Sequence, residues 1–139
     1  MAISKKKRLE IFNMFGGKCA YCGIDLPAKW HVDHKDPICR KTEYIRGEWT
    51  KEGYTPGKYV QTGECYAPEN ERDDNYFPAC AKCNIEKSSS DIEGFRQGLE
   101  RKIKGLRENS AAFRHAERYG LVQVIKEKVV FYFELHKEA

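Results

Sequence analysis

Two short cysteine motifs decide the fold of this chain: CAYCG at residues 19–23 and CAKCN at residues 80–84. Each motif places two thiols three positions apart, so both sulfurs can sit on one tight turn and reach the same ion. Tetrahedral zinc takes four such ligands, and two turns of this kind complete its coordination shell. The spacing therefore predicts one structural Zn²⁺ per chain, bound by Cys19, Cys22, Cys80 and Cys83.

The separation of the motifs gives the predicted ion a second role. Because the pairs lie far apart in sequence, the zinc would tie the start of the domain to the turn after a later strand. Structural zinc sites in small peptides are worth roughly 10–16 kcal/mol, which could substitute for a small core. The alternatives are that these four cysteines are buried apolar residues or redox-active thiols. Cys39 and Cys65 are interpreted either as free thiols or as a second, partial site.

Composition places the chain among ordinary domains that fold in water. Its 139 residues are 40% hydrophobic and 33% charged, which fits one domain with a modest core. No run of 18 or more apolar residues occurs, so we predict no contact with a membrane. The basic N-terminus lacks an apolar signal region, so we expect a cytoplasmic, reducing location. The net charge of +4 permits nucleic-acid binding but does not demonstrate it.

The periodicity predicts an α+β fold, and the length fits a single domain of residues 1–139. Two short strands are expected at residues 30–34 and 75–79. Between them lies a long insertion, at about residues 40–70, that is rich in Gly, Thr, Lys and Tyr. Loops of this length without structure of their own are unusual, so we expect a functional or partly ordered segment.

Helices and one further strand are predicted around these two strands. A first helix is expected over residues 5–15, ended by a glycine pair. A short helix should follow residue 80. In the C-terminal extension, residues 91–139, apolar residues recur at steps of three and four and predict a long helix. Alternating β-branched and aromatic residues over 128–135 predict a C-terminal strand.

Polar residues beside the cysteine motifs suggest hydrolytic chemistry. The segment WHVDHKDP at residues 30–37 precedes the second motif, which itself lies inside DDNYFPACAKCN at residues 73–84. Phosphodiester hydrolysis needs an activated water, charge relief at the phosphate and help for the leaving oxygen. A histidine can take a proton from water near neutral pH, and a divalent ion held by oxygen ligands can stabilise the phosphate. Neighbouring strand residues point to opposite faces, so Asp33 and His34 share one site only if the strand ends or twists there.

These elements occur in the order C-x-x-C, V-D-H with a following proline, and N-x-x-P-x-C-x-x-C-N, and together they resemble the HNH endonuclease family. The resemblance covers about residues 15–90. It implies a ββα-metal finger stapled by the zinc, with flanking helices, a long insertion between the two strands and a C-terminal strand. Many small members of the family are encoded by phages, so the resemblance implies the cytoplasm of a bacterial host or of a phage-infected cell.

By position, the resemblance assigns His34 as general base and Asp33 as a ligand of a catalytic divalent ion. Asn75 would orient His34 or tie down its loop. Asn84 stands where the family often has a histidine ligand. Asp33 and Asn84 offer only oxygen, which suits Mg²⁺ or Mn²⁺ as the catalytic ion.

The expected substrate is DNA. Four residues are candidates for contact with the nucleic acid: His31, Lys87, Arg40 and Lys41. His31 could instead be an ordinary polar side chain, and the insertion could be a solvated flap with its own aromatic cluster. A double-strand cut would need two active sites, hence a homodimer or a phage or host protein partner. The alternative function is a non-catalytic, zinc-stabilised module that binds DNA or protein.

Overall fold

The computed structural model describes residues 3–136 and has a mixed α+β fold with three two-stranded sheets. The helices and strands, in chain order, are α1 (Lys5–Asn13), β1 (His31–His34), β2 (Arg40–Ile45), β3 (Glu48–Thr50), β4 (Gly53–Thr55), β5 (Lys58–Cys65), β6 (Tyr76–Ala79), α2 (Ala81–Lys87), α3 (Ile92–Asn109), α4 (Ala111–Arg118) and α5 (Tyr132–Leu135). The predicted α+β class is confirmed. Of the predicted span 1–139, residues 1–2 and 137–139 lie outside the described residues.

The central unit consists of two antiparallel strands and the helix that follows them. His31 of β1 pairs with Ala79 of β6, and His34 pairs with Tyr76, although a long insertion separates the two strands in sequence. Helix α2 begins directly after β6, and the Cys80 sulfur caps it by accepting the backbone N–H of Cys83 at 3.5 Å. Both strands begin one residue later than predicted, and α2 occupies the expected place.

The first cysteine turn is reached from α1 through two glycines. The helix ends at Asn13, two residues before the predicted end. Gly16 and Gly17 have φ values of 63° and 79°, the left-handed region that side chains disfavour. These conformations turn the chain into the segment that carries Cys19, whose backbone N–H donates to the carbonyl of Ile24 at 2.9 Å.

The insertion folds into paired strands, and we call its residues 40–65 the ribbon. Strand β2 pairs with β5 in antiparallel register, and β3 pairs with β4 at the tip. The ribbon has two pairs of aromatic rings in contact. The ring centroids of Tyr44 and Tyr59 are 5.1 Å apart, and those of Trp49 and Tyr54 are 5.4 Å apart. Trp49 is 81% exposed, so these rings do not build a core. The ribbon is held mainly by its own backbone pairing.

Two hydrophobic clusters form the core on either side of β1 and β6. The smaller one joins α1 to the central strands through Ile11, Trp30 and Tyr76. The larger one surrounds the cysteines and is rich in aromatic rings. Its buried members are Cys19, Tyr21, Ala79, Cys80, Phe95 and Phe131.

The long helix α3 lies against this larger cluster through one part of its predicted apolar face. Phe95 is buried, and Ile92 and Leu99 pack beside it, whereas Leu106 is 41% exposed. Asp91 caps the helix by accepting the Gly94 N–H at 2.7 Å. Within residues 3–136, no helix combines the length and the apolar character needed to cross a membrane.

The prediction of a C-terminal strand is wrong. Residues 129–131 are unpaired, and Tyr132–Leu135 form the short helix α5. The backbone N–H groups of Tyr132 and Phe133 donate to the carbonyls of Tyr21 and Ala20, at 3.0 and 2.8 Å. Aromatic residues that suggested a pleated strand are instead buried against the first cysteine turn, which gives them a packing partner without a sheet.

Candidate metal centre and hydrolytic cleft

The four cysteines of the two C-x-x-C motifs lie together in one cluster, although the motifs are distant in sequence. Their sulfur atoms all lie within 4.8 Å of one another. The sulfurs of Cys22 and Cys80 are 3.8 Å apart. Sulfurs bound at about 2.3 Å to a tetrahedral zinc would be about 3.8 Å apart, so the cluster has the dimensions of a Zn²⁺ site. Cys39 and Cys65 lie at the base of the ribbon, away from this cluster, and are free thiols.

Proton sharing in the cluster also fits a cation-binding set. The pKa of Cys19 falls to about 4, chiefly because Cys83 donates a hydrogen bond to its sulfur. Backbone N–H groups of Cys22 and Cys80 lower the pKa further, and together these hydrogen bonds outweigh the opposing effect of burial. The pKa of Cys83 is raised by the same hydrogen bond and by burial. One negative charge is therefore favoured and further charges are not, unless a cation compensates them.

Asp33 on β1 is buried, and two polar groups contact it. The Tyr21 hydroxyl donates to Oδ2 at 2.5 Å, and the Lys87 ammonium lies 3.2 Å from the same oxygen. Burial and the Asp33 charge raise the pKa of Tyr21, so the phenol stays protonated and donates. A residue of the first cysteine turn is thus joined directly to the predicted metal ligand.

The prediction that Lys87 contacts phosphate is wrong for this structure. Its side chain is fully buried, and its ammonium also donates to the backbone carbonyl of His34 at 2.8 Å. Burying an isolated charge costs free energy, and the ion pair with Asp33 offsets this cost for Lys87. Lys87 therefore links α2 to the end of β1 inside the protein.

The predicted general base, His34, is held by a residue that the sequence did not single out. Its Nε2 lies 3.1 Å from a carboxylate oxygen of Glu71, which also accepts a hydrogen bond from the Tyr76 hydroxyl. Although partial burial opposes the shift, the hydrogen bonds from Tyr76 and His34 lower the pKa of Glu71. An ionised carboxylate can only accept, so Nε2 of His34 carries the proton.

Asn75 ties the segment after β1 to the segment before β6. It is fully buried, and its Oδ1 accepts the Asp36 N–H at 2.8 Å. Its Nδ2 donates to the carbonyls of Asp36 and Asn70, each at 2.8 Å. Of the two roles predicted for Asn75, this geometry supports the one in which it fixes the loop beside His34.

Asp33, His34 and Asn84 line one cleft of about 380 Å³. The Nδ2 atom of Asn84 lies 3.3 Å from Nδ1 of His31, an exposed residue at the start of β1. Arg40 of the ribbon lines the same cleft. Lys41 points away from it, 3.6 Å from Glu64 and over the ring of Tyr66.

The donor set in this cleft can be compared with what a divalent ion requires. Mg²⁺ is commonly held by one or two protein oxygens together with waters and substrate phosphates. Asp33 and Asn84 supply that number of protein ligands. Both contacts to Asp33 fall on Oδ2, so Oδ1 is the oxygen left for a cation.

Tyr21 and Glu71 are the residues of this site that sequence reasoning missed. Tyr21 lies between the two cysteines of the first C-x-x-C motif, and the motif itself predicts a role only for the cysteines. Glu71 lies in an irregular stretch between two single-turn 3₁₀ segments, Pro68–Asn70 and Asp73–Asn75. A carboxylate close before the predicted central asparagine was the only available signal for Glu71.

Comparison with protein-family models, curated proteins and solved structures found no match to this chain.

Proposed function

We propose that this chain is a metal-dependent DNA endonuclease of the HNH type, with a structural Zn²⁺ in the cysteine cluster. The observation that carries the proposal is the convergence of Asp33, His34 and Asn84 on one cleft beside that cluster. These residues come from β1 and α2, which are distant in sequence. A module that only binds DNA or protein would need the cysteines but not this polar constellation.

The zinc in this proposal is structural, because cysteines supply all four ligands and no position is open for a substrate. It holds the turn of Cys19 and Cys22 against the start of α2, where Cys80 and Cys83 lie. Tyr21 carries this constraint to Asp33 through its hydroxyl. Zinc binding therefore fixes the position of the hydrolytic side chains without taking part in the reaction.

The proposed base is Nδ1 of His34. Because Nε2–H donates a hydrogen bond to Glu71, the lone pair of the neutral ring lies on Nδ1. Within residues 3–136 this nitrogen has no hydrogen-bond partner, so it can take a proton from an attacking water. Glu71 then stabilises the imidazolium that forms, while Asn75 and Lys87 keep the backbone around His34 in place.

Asp33 and Asn84 would hold the catalytic ion, Mg²⁺ or Mn²⁺. When bound, such an ion supplies charge stabilisation to the scissile phosphate and to the leaving oxygen. The Lys87 ammonium, 3.2 Å from Oδ2, balances the charge of Asp33. The same pair holds the carboxylate in a fixed orientation.

Cleavage of supercoiled plasmid DNA in the presence of Mg²⁺ or Mn²⁺ tests this proposal. We expect the wild-type chain to relax or linearise the plasmid and His34→Ala to lose about 10²–10⁴-fold in rate. His115→Ala is the matched control, because His115 is exposed on α4 and should leave the rate unchanged. Zinc content and circular dichroism verify that each variant is folded.

Two results would overturn the proposal or part of it. A folded, zinc-loaded chain that binds DNA yet never cuts it with either metal would be a binding module. Equal rates for His34→Ala and the wild type would remove His34 from the role of base.

A further inference from the structure

One face of the ribbon continues the wall of the hydrolytic cleft. Arg40, Thr42 and Gln61 all line the cleft. Thr42 and Gln61 are cross-strand partners, and Arg40 precedes Thr42 by two positions. Because all three side chains line the cleft, they lie on the face of the β2–β5 pair that borders it, although the pairing register shifts between Arg40 and Thr42.

The same face extends away from the cleft through a tyrosine pair. Tyr44 follows Thr42 by two positions, Tyr59 precedes Gln61 by two, and the two tyrosines are register partners. Their rings are 5.1 Å apart, and they are 58% and 75% exposed. The face therefore presents a guanidinium, a hydroxyl and an amide near His34, followed by two aromatic rings farther out.

The opposite face of the ribbon has a different character. Lys41 lies there and is engaged by Glu64 and by the ring of Tyr66. Val60 and Glu43 are also register partners on that side. By contrast, the side chain of Arg40 has neither an ion pair nor a hydrogen bond within the described part of the chain.

We propose that the face formed by Arg40, Thr42, Tyr44, Tyr59 and Gln61 is the surface that positions the DNA backbone as it leaves the cleft. This inference rests on the proposed nuclease function. A phosphodiester held at His34 belongs to a polymer, so its next phosphates must cross whatever surface borders the cleft. Arg40 lies at that border, and a guanidinium can bind a phosphate through two hydrogen bonds. Amide, hydroxyl and tyrosine side chains supply the remaining contacts that backbone recognition uses.

The two-stranded architecture of the ribbon favours duplex DNA as the occupant. A two-stranded β-ribbon fits the major groove of B-form DNA, whereas the corresponding groove of A-form RNA is too narrow for it. Arg40 in this arrangement is a positioning residue, because it fixes the substrate and does not take part in proton transfer.

Neighbouring residues on opposite faces of the ribbon provide a matched test. Arg40→Gln and Lys41→Gln each remove one positive charge, so both change the long-range attraction of DNA equally. Binding of a fluorescent DNA duplex is measured by anisotropy at several salt concentrations, in a His34→Ala background with Mg²⁺. We expect Arg40→Gln to weaken binding and to reduce the slope of log affinity against log salt by about one, whereas Lys41→Gln leaves the slope unchanged.

Cleavage kinetics in chains that retain His34 supply a second readout. Arg40→Gln should raise KM more than it lowers kcat, because it removes substrate binding and leaves the base intact. Gln61→Ala should act in the same direction, and Val60→Ala, on the other face, should not. All four residues lie outside the two buried clusters, so the variants should fold and retain zinc.

The outcomes separate this inference from the nuclease proposal. If Arg40→Gln and Lys41→Gln have the same salt slope and the same KM while the wild type cuts DNA, the ribbon face is not the positioning surface. If the wild type neither binds nor cuts duplex DNA, the nuclease proposal fails and this inference fails with it.

Discussion

The β1–β6 pair and the ribbon are both antiparallel two-stranded sheets, but they are stabilised in opposite ways. β1 and β6 lie far apart in sequence, and their neighbourhood buries Asp33, Asn75 and Lys87 together with two hydrophobic clusters. The strands of the ribbon follow one another closely, and their side chains are mostly exposed. Isolated hairpins are at best marginally stable, so the ribbon depends on the anchored base at β2 and β5.

This difference shows where the molecule concentrates its stability. Joining distant segments carries an entropic cost, which the cysteine cluster and the aromatic core must offset. The ribbon is built from neighbouring strands on an anchored base, so it adds a surface beside the cleft without sharing the core. We therefore expect changes near the cysteines to affect folding and changes in the ribbon to affect substrate contact.

The largest expected effect is that of removing one zinc ligand. Cys80→Ser should lose the bound zinc and cooperative folding, because structural zinc sites contribute roughly 10–16 kcal/mol in small peptides. Cys65→Ser is the control from the ribbon, and it should retain zinc and the wild-type melting curve. Elemental analysis and thermal melting followed by circular dichroism measure both properties. A zinc-free chain that melts as the wild type does would contradict the structural role of the cluster.

A smaller effect is expected when aromatic residues of the two regions are compared. Phe131 is 2% exposed and contacts the rings of Tyr21, Phe95 and Phe133. Phe131→Ala should lower the free energy of unfolding by about 3–5 kcal/mol. Trp49→Ala removes a larger but exposed side chain and should change it by no more than about 0.5 kcal/mol. Urea titration measures the free energy of unfolding of both variants. If Trp49→Ala lowers it as much as Phe131→Ala does, the ribbon belongs to the core.

The same contrast explains which features could be predicted from sequence. The cysteine pairs, β1, β6 and α2 follow from local spacing and turn chemistry, and the structure has all of them. The burial of Lys87 could not be foreseen, because a lysine three positions after Asn84 equally well fits an exposed helix face. Its burial depends on Asp33, which lies more than fifty positions earlier in the chain.

Two other features escaped prediction because their partners are distant. Glu71 reaches His34 only because the irregular segment before β6 folds back over the end of β1. The C-terminal aromatics have the alternation of a strand, but the backbone at Tyr132 and Phe133 bonds to the first cysteine turn. In each case the local pattern was compatible with several structures, and tertiary contact selected one of them.

Only a small effect on stability is expected even when the whole ribbon is removed. Arg40 and Cys65 are cross-strand partners, so an Asn-Gly pair in place of residues 41–64 can join them in a two-residue turn. Shortening a loop changes its closure free energy by only about 0.6 kcal/mol per halving of length, and the excised side chains are mostly exposed. The shortened chain should therefore bind zinc and keep its free energy of unfolding to within about 1 kcal/mol, while its affinity for DNA falls because Thr42, Tyr44, Tyr59 and Gln61 are gone. Metal analysis, urea titration and anisotropy test the three expectations separately. A large loss of stability would mean that the ribbon supports the core, and an unchanged affinity would mean that it does not contact the substrate.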